Sequence, residues 1–152
     1  MEIILEKYLK KRTKADFNVK KAKLIEMKIH SDDRGNLVAI EGETDLGYKI
    51  ARVFYMYGMN KDTIRGKHAN LRSTICFVAL NGSCKITLDD GLCRESFILD
   101  RPETALVCYP LTWKEMSDFK ANCVLACICD TNFDPLDYLD DYNDFLNKAK
   151  SV

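Results

Sequence analysis

The stretch STICFVALNGSCKITLDDGLCRESFILD, residues 73–100, reads as three short strands separated by two turns. Asn81-Gly82 and Asp90-Gly91 stand between its apolar runs, and both pairs favour the backbone that a tight hairpin needs. The same rhythm continues on either side. Upstream lie AKLIEMKIH (22–30), NLVAIEG (36–42) and IARVFYMYGM (50–59). Downstream lie ALVCYP (105–110) and NCVLACICD (122–130). Asp33-Arg34-Gly35-Asn36 and Asp100-Arg101-Pro102 supply further turn chemistry. Many short strands with little helical periodicity between them predict an all-β domain, an antiparallel sandwich or barrel.

The ends differ from this middle. Residues 1–28 carry nine Lys or Arg against four acids, and residues 130–145 carry six aspartates and no base. The basic head is read as a solvated face compensated by the acidic tail. Ile3, Ile4, Tyr8 and Leu9 form a short helical stripe, so residues 1–23 are expected to be a basic, helical N-terminal extension. After Pro135 the residues Leu136, Leu139, Tyr142, Phe145 and Leu146 recur at three- and four-residue steps. They predict a C-terminal amphipathic helix laid on the outside of a domain spanning 24–146, with 147–152 as a tail.

Composition narrows the function classes. The chain has 152 residues, with 23 Lys and Arg balanced by 23 Asp and Glu. Zero formal charge excludes a general nucleic-acid binder, and 47% hydrophobic content excludes a disordered chain. No apolar run approaches the roughly 20 residues of a membrane span. The start MEIILEKYLKKR is apolar only briefly and then basic, unlike a signal peptide. Seven cysteines (76, 84, 93, 108, 123, 127 and 129) are an odd count, mostly within apolar strings. They are expected to be reduced packing thiols of a cytoplasmic protein.

Imidazole chemistry has two possible sites, His30 and His68. His68 lies in Arg65-Gly-Lys-His-Ala-Asn70, between two confident strands. This segment is either a wet surface loop or an extended piece in which His68 and Asn70 share a face.

Five blocks occur in order: DDRGNLVAIE (32–41), RVFYMY with RGKHAN (52–70), NGSCKITLDDG (81–91), YPLTWKEMSDF (109–119) and DYLDDYNDFL (137–146). In these the chain resembles the cupin-fold sugar 3,4-ketoisomerases, which act on dTDP-4-keto-6-deoxy-D-glucose. The resemblance implies a jelly-roll barrel and a cytoplasmic homodimer with no metal or other cofactor. The reaction it implies yields a 3-keto sugar for later transamination, toward deoxyamino sugars of surface polysaccharides such as lipopolysaccharide O-antigen.

The chain also departs from the family pattern. Asn70 replaces a second histidine, Thr74-Ile75 replace Glu-Gln, Lys114 follows Trp113 where His or Arg is usual, and Phe54 replaces a tyrosine. A metal-binding cupin set would read His68, Asn70, Thr74 and Lys114, so one ligand of four survives.

Moving a ketone from C4 to C3 needs a base near neutrality and a donor for the developing oxyanion. His68, the one imidazole in any matched block, is the expected base. Asn70 could hold a hydroxyl or carbonyl oxygen. Lys114 would present an ammonium to the enediolate or an acid to C4, or else sit on a wet rim. Arg34 and Arg65 would pair with the diphosphate or a sugar oxygen, with Arg52 and Trp113 also against substrate. Tyr55 is the expected pocket tyrosine, although alternation allows either Phe54 or Tyr55 to point inward. Family positions matching Arg34 and Lys114 are linked to the C4 epimer, and this arginine–lysine pair leaves both epimers open. Two other readings stand beside the isomerase: a nucleotide-sugar-binding cupin without turnover, and a nucleotide-sugar epimerase.

Overall fold

Two long strands organise the molecule. In the computed structural model, which describes residues 19–152, β6 (Ile75–Asp89) and β9 (Trp113–Cys129) pair antiparallel from Ile75↔Cys129 to Asp89↔Trp113. Their pairing divides the sheet into two halves. The first half of β6 pairs β8 (Thr104–Cys108), which in turn pairs β1 (Ala22–Glu26), while the end of β9 pairs β4 (Arg52–Met56). The second half of β6 pairs β7 (Arg94–Leu99). The start of β9 pairs β5 (Arg65–Asn70), which carries the two-residue β10 (Tyr138–Leu139). A separate hairpin joins β2 (Ile29–Asp32) to β3 (Gly35–Val38). This is the all-β jelly-roll architecture expected of a cupin.

Asn81-Gly82 is not the hairpin turn that its dipeptide predicts. It lies inside β6, where the ladder to β9 shifts register three times between Ala79 and Lys85. Asn81 Nδ2 donates to the carbonyls of Ala121 (3.1 Å) and Asn122 (3.0 Å), and Gly82 has φ +65°. The left-handed backbone thus marks the junction of the half-sheets and not a chain reversal. A Cβ at Gly82 would sit 2.2 Å from the Lys120 carbonyl oxygen, with further backbone atoms under 3 Å. Gly82→Ala is therefore expected to lower Tm by about 5 °C or more, from about 2 kcal/mol of strain. A thermal melt showing no decrease would reject this role for Gly82. Asp90-Gly91 does form its predicted turn, with Asp90 Oδ1 accepting the N–H groups of Leu92 and Cys93 at 2.9 Å each.

Alternation along the strands builds the core. Ile75, Phe77, Ile86, Leu88, Leu106, Leu125 and Cys127 face one shared interior, each nearly or fully buried. Burying each large apolar side chain contributes roughly 1.5–3 kcal/mol. The reverse face of the first half-sheet carries Cys76, Val78, Ala105, Val107 and Ile128, covered by Met27 and Leu46, the latter on the short π-helical turn Gly42–Leu46. The second half-sheet is covered by α1 (Tyr142–Lys150), whose Phe145 packs on Ala69 and Trp113. All seven cysteines are free thiols, and burial pushes the Cys76 thiol up to about 12. That is packing chemistry, as expected.

The chain ends depart in detail from expectation. The helix expected at Ile3–Leu9 lies outside the described residues, and β1 begins at Ala22, two residues before the expected domain start. The C-terminal helix starts at Tyr142, not after Pro135. Asp134 accepts the Leu136 N–H (2.9 Å) and caps a 3-10 turn, Pro135–Asp137, and β10 follows it. Leu136 is consequently exposed, whereas Phe145 is fully buried.

Candidate active site

A one-residue irregularity between β5 and β9 aims the candidate base. Arg65 lies opposite Met116, Gly66 opposite Glu115, and His68 opposite Lys114, leaving Lys67 as an extra residue. Regular alternation would place Lys67 on the face of Arg65 and turn His68 away. The bulge restores His68 to the same face as Arg65, Lys114 and Met116. Its backbone is left-handed at Gly66 (φ +85°) and Lys67 (φ +57°), and a Cβ at Gly66 would meet the Lys114 carbonyl at 2.7 Å. RGKHAN is thus a bulged strand and not a wet loop.

These side chains line a cavity of about 190 Å³. His68, Lys114 and Arg65 supply its polar groups, while Phe54, Met56, Ile75, Phe77, Met116 and Tyr138 supply most of the rest. The Tyr138 ring packs against His68 with centroids 4.9 Å apart. Burial lowers the His68 pKa from its ordinary value, and the neighbouring Lys114 charge adds to the effect. A neutral imidazole near pH 7 is the form that can accept a proton.

Lys114 is buried, only 2% exposed, and not on a wet rim. Its Nζ donates to Asn70 Oδ1 at 2.7 Å and more weakly to the Thr112 carbonyl at 3.4 Å. Burial lowers its pKa, opposed by Cys108, Asp137, Cys129 and Cys127. Asn70, itself 1% exposed, donates through Nδ2 to Asp137 Oδ2 at 3.0 Å. Base, cation and apolar walls in one small cavity suit proton transfer beside a developing oxyanion.

Comparison with known proteins identifies the family. The FdtA family, described as WxcM-like, C-terminal, matches residues 20–150. A TDP-4-oxo-6-deoxy-alpha-D-glucose-3,4-oxoisomerase of Aneurinibacillus thermoaerophilus is 37% identical over 123 residues, 81% of this chain and 88% of the relative. The chain belongs to the FdtA family.

Two solved structures place the family's fold beside this one. The sugar 3,4-ketoisomerase QdtA of Thermoanaerobacterium thermosaccharolyticum, in complex with TDP, matches with TM-score 0.84 and 34% identity. The match covers 86% of this chain and 96% of that one. WlaRA, a TDP-fucose-3,4-ketoisomerase of Campylobacter jejuni, matches with TM-score 0.82 and 32% identity, over 86% of this chain and 97% of its own.

Within this FdtA-family chain, the structure distributes the expected site residues unevenly. His68, Lys114 and Arg65 converge on the cavity, and Asn70 reaches it through Lys114. Tyr55 does not converge: it is 64% exposed on the opposite face of β4 and stacks on Tyr57, while Phe54 points inward. Trp113 precedes Lys114 and therefore faces outward, where it packs edge-on against Tyr142 and donates Nε1–H to Glu115 Oε1. Its expected substrate contact is replaced by a helix-anchoring role. Arg52 flanks the site, its guanidinium over Phe54 and Phe133, with Nη2 3.8 Å from Cys129 Sγ. Arg34 is exposed at the β2–β3 turn, is paired with Asp32, and lines a different, open depression with His30 and Asn36. A single chain does not bring Arg34 to His68.

Two site residues escaped the sequence reading. Tyr138 falls off the apolar stripe of the tail, which was itself a signal, since an aromatic off a helix stripe needs another surface. Asp137 was one of six clustered aspartates, indistinguishable by composition from its solvated neighbours.

Proposed function

We propose that this protein is a TDP-sugar 3,4-ketoisomerase converting dTDP-4-keto-6-deoxy-D-glucose into a dTDP-3-keto-6-deoxy-hexose. The observation that carries it is His68 opposite Lys114 across the β5 bulge, both lining one cavity. QdtA has also been solved as a histidine-to-asparagine variant with TDP-4-keto-6-deoxyglucose, at 33% identity to this chain.

His68 removes the C3 proton, and the electron pair left behind forms the C3–C4 double bond. The former C4 carbonyl becomes an oxyanion facing the Lys114 ammonium, a stabilisation that needs no consumption of the cation. The C3 hydroxyl proton passes to the C4 oxygen, and C4 takes the proton held by His68. Asn70 holds Lys114 and not the sugar, and Arg65, exposed at the cavity mouth, pairs with the diphosphate. The enzyme acts in the cytoplasm as a homodimer, before a transamination toward deoxyamino sugars of surface polysaccharide. Ile29 and Leu37 on the exposed β2–β3 hairpin are apolar surface that a second copy would cover. Light scattering at the monomer mass would reject the dimer.

Incubation with dTDP-4-keto-6-deoxyglucose in deuterated water tests the reaction. The expected result is the 3-keto isomer with deuterium exchange confined to C3 or C4. Binding without exchange would replace the isomerase by a binding protein, and exchange at carbons beyond these would replace it by an epimerase.

A further inference from the structure

We infer that Asp137, acting through Asn70, is a positioning residue that holds Lys114 at the cavity as an ammonium ion. The inference rests on the reading above, in which that ammonium faces the enediolate. Lys114 is a donor only and an ionised Asp137 is an acceptor only, so the amide between them has one favourable orientation. Asn70 presents Nδ2 to Asp137 Oδ2 (3.0 Å) and Oδ1 to Lys114 Nζ (2.7 Å). Reversing the amide would set oxygen against carboxylate and N–H against ammonium. A buried chain of carboxylate, amide and ammonium therefore fixes the cation at one point.

Asp137 is itself firmly anchored. It is 3% exposed, and its Oδ1 accepts the Arg72 N–H at 2.6 Å. Its Oδ2 accepts the Ser73 hydroxyl as well as Asn70. Burial pushes its pKa up, but hydrogen bonds from Ser73, the Arg72 backbone and Asn70 outweigh burial and leave it lowered. The anion thus persists at neutral pH without direct contact with the cation it supports.

The other charged and titratable groups around Lys114 do not replace it. Burial and the Lys114 charge lower the pKa of His68 on β5, so it is no anion beside the lysine, and Arg65 on β5 is a further cation at the same cavity. Cys108 on β8 and Cys127 and Cys129 on β9 are thiols whose pKa values burial raises, so they are neutral near pH 7. Arg52 on β4 contacts Cys129, and Tyr138 on β10 lines the cavity wall. Asp137 is the acid that the buried amide connects to the lysine.

Asp137→Asn tests the link by removing the charge while keeping shape. In protein carrying ¹⁵N-labelled lysine, the Lys114 Nζ titration midpoint is expected to fall by about one pH unit or more. The alkaline limb of kcat should move to lower pH by the same amount, with the rate recovering as pH is lowered. Asn70→Leu, which breaks the bridge and leaves Asp137 bound by Ser73 and Arg72, should move the midpoint in the same direction. An unchanged midpoint, or a rate loss equal at every pH, would overturn the inference and leave Asp137 a structural residue. A shifted midpoint in a protein whose wild type gives no isomer would instead remove the proposed reaction and leave the pairing intact.

Discussion

His68→Asn is expected to bind dTDP-4-keto-6-deoxyglucose with little change in Kd and to isomerise it about 10³-fold more slowly. General acid–base catalysis by one positioned side chain contributes roughly 10²–10⁴-fold, and both proton transfers at carbon use this imidazole. Asparagine keeps similar bulk against Tyr138 and can still hydrogen-bond, so the cavity persists while the proton carrier is lost. Calorimetric titration and the isomerisation rate check the two halves separately. Near-normal turnover would remove His68 from the role of base. The pH profile gives an independent reading of the same group. Burial and Lys114 lower the His68 pKa below 6.5, so the unprotonated base survives to a lower pH than a free imidazole would. The acid limb of kcat/KM is therefore expected below pH 6.5, and its disappearance in His68→Asn identifies its source.

Lys114→Met is expected to lower kcat/KM by about 10²–10³-fold and leave Tm within a few degrees of the unsubstituted protein. The activity loss is that of one oxyanion donor in a water-poor cavity. Stability behaves differently because two effects oppose. Burying an ammonium is costly, and an apolar side chain of similar length avoids that cost. Against this, Asn70 Oδ1 loses its 2.7 Å donor and becomes a buried acceptor without that partner, worth roughly 1–3 kcal/mol. Asp137 keeps Ser73, the Arg72 N–H and Asn70 as partners, so the substitution leaves no bare carboxylate. Activity and stability should therefore separate, measured by steady-state kinetics and a thermal melt. Loss of both together would show Lys114 to be a structural ion, and retention of activity would remove it from the oxyanion site.

These two residues illustrate how far local pattern carries. RGKHAN named His68 and Asn70 and allowed them a common face, but a bulge is a two-strand property. Lys67 becomes supernumerary only because β9 offers Lys114 and Met116 as the opposing inward residues. Lys114 itself looked like either a rim lysine or an inner cation, since a lone polar residue after tryptophan has no period of its own. Trp113 is expected against substrate, yet adjacent strand residues face opposite ways, and its partner is the C-terminal helix. The same alternation assigned the inward position to Phe54 over Tyr55 once β4 had paired with β9.

Asn81-Gly82 shows the limit most plainly. The dipeptide correctly announces left-handed backbone, because that is a property of one or two residues. Whether such backbone reverses the chain or bends a strand depends on what lies across from it, and here Ala121 and Asn122 are also left-handed. From its own residues the chain determined an all-β domain with packing thiols, through local periodicity and turn chemistry, while the family resemblance singled out His68 as the candidate base. Only the tertiary structure decided that His68 and Lys114 share a cavity and that Asp137 reaches the lysine through Asn70. Asn70 lies 44 positions from Lys114 and 67 from Asp137, His68 is as remote from Lys114 in sequence, and no local period spans such distances.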